Sequence, residues 1–326
     1  MKSSLLLSFL MSASLSLQAA PMHFGLFSDL PYSAWERQQL PHLIAEMDAE
    51  PLSFVVHAGD IKNGSSVCSD EAFQGVLDAF QLSAHPLIYV PGDNEWADCH
   101  HRLNAQFDPT ERLAKLRSLF WMGDSSLGRR ALKLERQSDM PAFPTYRENV
   151  RWEMGGVLFA GLNLPGSENN FYGVDIASRD RKGQVAEYLE RSAANRAWLG
   201  ETFAIARNRS LPAILIVAHG NPGFEAWSAG RAETGYLDFL TQLRDETQKF
   251  PGQVVLVHGD THKQHIDQPM RDAGSGAVVA NFTRVETFGF PHFGWIRGTA
   301  DTDDPGVFRF APRPWGVPTR VPSDQL

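Results

Sequence analysis

Two cysteines in 326 residues are too few for a disulfide-rich scaffold or a four-thiolate metal site. Beyond the N-terminus no segment approaches the roughly 20 uninterrupted apolar residues that a membrane-spanning helix requires. Basic charge is scarce as well. Lys and Arg number 30 against 38 Asp and Glu, with no clustered basic stripe, so a nucleic-acid backbone or an anionic membrane finds little attraction. Gly-x-Ser-x-Gly and His-Glu-x-x-His are both missing, which removes the usual signals of a serine hydrolase or a zinc protease.

What is present begins with a removable leader. Lys2, the short apolar stretch Leu5-Leu6-Leu7-Ser8-Phe9-Leu10-Met11 and the small-residue end Ala19-Ala20 read as a secretory signal peptide over residues 1–20. Its loss takes one basic residue, leaving 29 against 38 and a net charge of −9. The mature chain is thereby predicted to be exported, periplasmic or secreted, and large enough for a substantial core. In that setting Cys68 and Cys99 are expected to form a disulfide, the alternative being two buried thiols.

Apolar runs at 23–27, 52–58, 86–90, 157–163, 212–218 and 254–257 alternate with helical stripes such as Leu40, Leu43, Ile44 and Met47, or Phe73, Val76, Leu77 and Phe80. Alternation of strand and helix argues for parallel strands joined by crossovers. Asp108-Pro109 marks a helix start, and Gly155-Gly156 a hairpin turn. Residues 121–151 lose periodicity and read as an insertion over or beside the crevice. Residues 277–288, 293–297 and 307–310 read as consecutive antiparallel strands, and the Pro-rich segment 311–326 as an extended tail. One domain is expected over 21–310.

Five polar clusters sit directly after these strands: Asp29, Asp60 in Gly59-Asp60, Asp93 in Gly92-Asp93-Asn94-Glu95, His219, and His258-Gly-Asp-Thr-His262. In an open α/β sheet the carboxyl ends of strands share one edge, so these groups converge. Converging carboxylates and imidazoles bind metal. Two divalent ions about 3.5–4 Å apart can hold a phosphoryl oxygen and lower the pKa of a bridging water. A carboxylate suits the shared ligand, and Asp60 is the candidate because Gly59 lets the backbone turn sharply before it.

This order resembles the calcineurin-like metallophosphoesterase superfamily over nearly the whole mature chain. That superfamily carries Asp-x-His, Gly-Asp, Gly-Asn-His-Glu/Asp, a lone His and Gly-His-x-His on a four-layer α/β/β/α sandwich. The resemblance implies Asp29 and His262 on one metal, Asp60 bridging, and Asp93 with His219 on the other. Asp260 falls where the family has the first His of its last motif and can ligate through oxygen.

The chain departs from the pattern at two places. Pro31 replaces the His of Asp-x-His, and Tyr32 follows it; Tyr32 is either a phenolate ligand or a packing residue. Asn94 replaces the His that the resemblance assigns to phosphate orientation and leaving-group protonation, and an amide supplies no proton by ionisation. His258 is the nearest substitute acid by sequence. Lys62, Asn63, Asn163 and Asn221 lie in or beside the ligand loops as candidates for binding phosphate oxygens. His100 and His101 receive no role.

The oxygen-rich ligand set suits Mn, Fe or Mg, with Zn also possible. The reading is an exported metal-dependent phosphoesterase in which a metal-activated hydroxide attacks a small phosphorylated substrate, monoester or diester. The alternative is a phospholigand-binding or partner-binding module that keeps the fold without turnover.

Overall fold

The computed structural model describes residues 20–171, 182–231 and 234–315. The predicted leader up to residue 19 and the tail beyond residue 315 lie outside them. Among the described residues twelve strands run in chain order as β1 Met22–Phe27, β2 Phe54–His57, β3 Leu87–Tyr89, β4 Glu135–Arg136, β5 Val150–Met154, β6 Val157–Gly161, β7 Ala213–Val217, β8 Gln253–His258, β9 His265–Asp267, β10 Phe282–Glu286, β11 Gly294–Ala300 and β12 Phe308–Pro314. They form two sheets, ordered β12-β11-β1-β2-β3 and β4-β5-β6-β7-β8-β10-β9.

Side chains alternate across each strand, and that alternation builds the layers. Phe24, Leu26, Phe54, Val56 and Ile88 face inward against Phe159, Leu215, Val217, Val255 and Val257 of the other sheet. Phe27 and Val55, pointing the opposite way, pack with Leu43, Phe73, Phe80 and Leu116 from helices Ala34–Asp48, Asp70–Phe80 and Pro109–Phe120. On the far side Ile214, Ile216 and Leu256 meet Trp198, Phe203, Leu240 and Leu243 from helices Lys182–Asn208 and Leu237–Lys249. The expected α/β/β/α sandwich is therefore the observed one. β1, β2 and β3 pair in parallel, as do β6, β7 and β8, so the loops after them emerge at common edges. Among the described residues no helix is long and apolar enough to cross a membrane.

Local chemistry accounts for the boundaries. Asp108 caps its helix by accepting from Thr110 N at 2.8 Å and Glu111 N at 3.0 Å. Gly155 and Gly156 adopt φ of 58° and 75°, the paired positive values of a tight hairpin turn. The first helix starts earlier than its apolar stripe suggests, because Ser33 caps Glu36 N, and Pro41 consequently falls inside it.

Two expectations are corrected and a third holds for only part of its segment. β10 does not continue an antiparallel series with β11; it pairs in parallel with β8 in the second sheet, while β11 and β12 pair in the first. Periodicity identifies a strand without identifying its sheet. The segment from Ala311 is not all tail, since β12 extends to Pro314 against Gly294. The 121–151 insertion is divided: Glu148 and Asn149 accept from Asn163 just after β6, beside the crevice edge, whereas Leu127 bridges Leu87 and Arg130 donates to Leu52 O at 3.1 Å, where β2 and β3 begin, opposite the loops that carry Asp60 and Asp93.

Candidate metal centre

Asp29 follows β1, Asp60 follows β2, Asp93 follows β3, His219 follows β7, and Asp260 and His262 follow β8. The turns that deliver them are tight. Asp29, Asp60, Asp260 and His262 have φ of 54°, 60°, 77° and 61°, a left-handed conformation that non-glycine residues rarely adopt and that costs of order 1–3 kcal/mol each. Clustered strain of this kind marks sites where geometry is over-determined by surroundings. Gly59, at φ +94°, is one such determinant: a Cβ there would stand 2.6 Å from His219 Nδ1.

His219 is the hub. Its Nδ1 lies 2.8 Å from Ala58 O, and a carbonyl only accepts, so Nδ1 carries a proton and Nε2 is the nitrogen left for a cation. That Nε2 is buried without a hydrogen-bond partner, 3.3 Å from Asp60 Oδ1 and 3.2 Å from Asp93 Oδ1. Two ligand groups meet on it, Asp29 with Asp60 and His219, and Asp93 with His219 and Asp260, each with ligand atoms within 4.8 Å of one another. His262 repeats the arrangement, its Nδ1 2.7 Å from Phe290 O and its Nε2 3.3 Å from Asp29 Oδ1. An orphaned imidazole nitrogen facing two carboxylates is a donor set that fits divalent cations.

The electrostatics agree. Burial raises Asp60 to about 6 and Asp260 to about 7, neighbouring carboxylates adding to both. Burial alone would lower His219, but Asp60 and Asp93 outweigh it and hold its pKa well above the ordinary imidazole value. Without cations the cluster therefore retains protons that cations would displace.

The remaining candidates divide. Tyr32 Oη donates to Asp60 Oδ2 at 2.5 Å and stands 3.3 Å from both Asp29 Oδ1 and His262 Nε2, so it belongs to the centre; burial and Asp60 keep the phenol protonated. Asn94 Nδ2 donates to Tyr32 Oη at 3.0 Å and to Asp60 Oδ2, and its N–H reaches Asp60 Oδ1 at 3.0 Å. Asn221 N–H orients Asp260 Oδ2 at 2.8 Å, while its own Oδ1 accepts from Gly223 N.

Four other side chains are directed elsewhere. Lys62 is buried, its ammonium on Asn94 O at 2.7 Å, and burial lowers its pKa. Asn63 is engaged by Tyr32 O and by the N–H and hydroxyl of Ser65. Asn163 donates to Glu148 Oε1 at 3.0 Å within a buried network. His258 is fully buried with Nε2 4.0 Å from Glu286 Oε2, and burial depresses it to about 3; a neutral, enclosed imidazole has no proton to give.

Composition and spacing do not reveal the loop after β6. Gly166 N–H donates to Asp93 Oδ1 at 3.1 Å and Ser167 Oγ to Asp93 Oδ2 at 3.0 Å, from a run in which Ser167, Glu168, Asn169 and Asn170 all have positive φ. Buried Arg191 clamps that run through Asn169 O at 2.8 Å. The available signal was positional: β6 ends at the same edge as β7 and β8. Glu95 was also missed in this role; its Oε1 accepts from Asp60 N at 3.2 Å and Tyr89 Oη at 2.7 Å. The predicted disulfide is present between Cys68 and Cys99.

The fold has counterparts among solved structures. Compared with solved structures, the chain is similar to a dimetal phosphatase from Danio rerio, with a TM-score of 0.57 and 14% identity over 90% of this chain and 96% of that one. It is also similar to PhoD, with a TM-score of 0.56 and 14% identity over 90% of this chain and 69% of that one. The two-sheet architecture is the calcineurin-like metallophosphoesterase fold. No family model and no curated protein matches the chain.

Proposed function

We propose that this chain is a metal-dependent phosphoesterase acting on small phosphorylated substrates at a dinuclear centre. The observation that carries the reading is His219 Nε2, buried, unpartnered and facing Asp60 and Asp93. Asp29 and His262 would hold one cation, Asp93, His219 and Asp260 the other, with Asp60 between them and Tyr32 beside it. Such a pair supplies Lewis-acid stabilisation of a phosphoryl group and lowers the pKa of water.

The chain's own groups hold this set in place. Tyr32 and Asn94 fix both oxygens of Asp60, Gly166 and Ser167 fix Asp93, and backbone carbonyls set the tautomers of His219 and His262. Leaving-group protonation is the step they do not provide, since Asn94 carries no ionisable proton. Good leaving groups are thereby favoured, and loss of a general acid typically costs 10²- to 10⁴-fold on poor ones.

Hydrolysis of bis-p-nitrophenyl and p-nitrophenyl phosphate, before and after chelation and with Mn²⁺ restored, tests the reading. Activity should vanish on chelation, return with metal and fall at least about 10²-fold in Asp60→Asn. Flat rates on both substrates with metal bound would leave a phospholigand-binding module, the reading that Asn94 favours. We further propose export through residues 1–20, checked by the N-terminus of the mature protein.

A further inference from the structure

Just past Asp93 the chain makes a tight 3₁₀ turn, Ala97–His100, that is held on every side. Asp98 N–H reaches Asp93 O at 3.0 Å, His101 N–H reaches Asp98 O at 3.0 Å, and Asn104 Nδ2 donates to Asp98 O at 2.8 Å. Cys99, in the middle, is bonded to Cys68. From this rigid turn Asp98, His100 and His101 bring a carboxylate oxygen and two imidazole nitrogens within 4.8 Å of one another. The two rings lie 4.2 Å apart between centroids.

His100 Nδ1 is 2.8 Å from Ala97 O. The carbonyl can only accept, so the proton sits on Nδ1 and the lone pair on Nε2, the tautomer of a metal-ligating histidine. Asp98 is buried while both imidazoles are half-buried, so the set opens to solvent on one side. We propose that Asp98, His100 and His101 form a third cation site, for a borderline divalent ion such as Zn²⁺. Two imidazoles and one carboxylate with an open position suit that class better than Mg²⁺ or Ca²⁺. Bonds of about 2.0–2.2 Å hold ligand atoms within about 4.4 Å of one another, and the three here lie within 4.8 Å. The three side chains make further contacts too, with which the ion competes.

This site shares no ligand with the centre on Asp60 and His219. It touches that centre through Ser167 Oγ, 3.0 Å from Asp98 Oδ2 and 3.0 Å from Asp93 Oδ2.

The test is zinc stoichiometry of the full chain, stripped with chelator, reloaded, dialysed and measured by elemental analysis. Wild type should hold three equivalents, His100→Ala/His101→Ala two, and His219→Ala should retain the equivalent that the double variant loses. If wild type holds one and the double variant none, the third site stands and the dinuclear reading falls. Wild-type stoichiometry and affinity in the double variant overturn the third site. Should that variant fail to fold, carbethoxylation of His100 and His101 in wild type decides: Zn²⁺ should slow it at least about 10-fold, and equal rates with and without Zn²⁺ overturn the proposal.

Discussion

Removing the Cys68–Cys99 bridge should destabilise the fold and loosen the centre together. The bridge joins residues 31 apart, and the chain-entropy relation for that loop gives about 12 cal/mol/K, or about 3–4 kcal/mol at 25 °C. Both sulfurs are fully buried and lie 3.5 and 3.7 Å from Asn94 O, the carbonyl that also accepts Lys62 Nζ. Asn94 in turn holds Asp60 and Tyr32, so the bridge stands one residue from the proposed shared ligand. Guanidinium unfolding of chelated Cys68→Ala/Cys99→Ala should show the 3–4 kcal/mol loss, corresponding to a Tm lower by roughly 5–6 °C for a chain of this size. Wild type in reductant should reproduce the shift, and Mn²⁺ affinity should fall in both. A stability loss below about 1 kcal/mol would refute the loop-closure account, and unchanged Mn²⁺ affinity would refute the coupling through Asn94.

Gly166→Ala should cost about 10- to 100-fold in metal affinity, because its Cβ would fall 2.4 Å from Asp93 Oδ1 and 2.7 Å from Asp260 Oδ1; wild-type affinity in a folded variant would show that the close approach is not needed. Metal uptake should release protons, since Asp60 and Asp260 titrate near 6 and 7 and His219 well above its usual value. Their protons compete with cations below those values, so affinity should rise as pH increases through about 6–7. Calorimetry in buffers of different ionisation enthalpy measures the release, and none at pH 6 would contradict it.

Much of the architecture was legible because each central strand is a short, mainly apolar run followed within four residues by an Asp, Asn or His. β1, β2, β3, β6, β7 and β8 all have this form, and the Gly155-Gly156 turn adds the hairpin. Sheet membership was not legible. β10 reads as well in an antiparallel series as beside β8, because its pattern Phe282, Arg284, Val285 records burial rather than partner. Placement of the 121–151 insertion depends on Arg130 and Leu127 finding carbonyl partners at the far strand ends while Glu148 and Asn149 meet Asn163 at the near one, a tertiary outcome that local composition does not encode.

Residue type identified the convergent acids and imidazoles, since few other arrangements put Asp29, Asp60, Asp93, His219 and Asp260 at strand ends. Direction is a different matter. Lys62 stands two residues from Asp60 and by charge suits a phosphate, yet its ammonium turns inward to the Asn94 carbonyl. That inward turn changes what Asn94 is for. With its carbonyl held by Lys62 and its amide on Tyr32 and Asp60, Asn94 is a bracket that fixes one carboxylate, a task imidazole at the same position could not perform with the same donor geometry. The substitution that looks like loss of a catalytic acid is, in this structure, the joint at which the disulfide and Lys62, both on the Asn94 carbonyl, meet Asp60 and Tyr32, both on its amide.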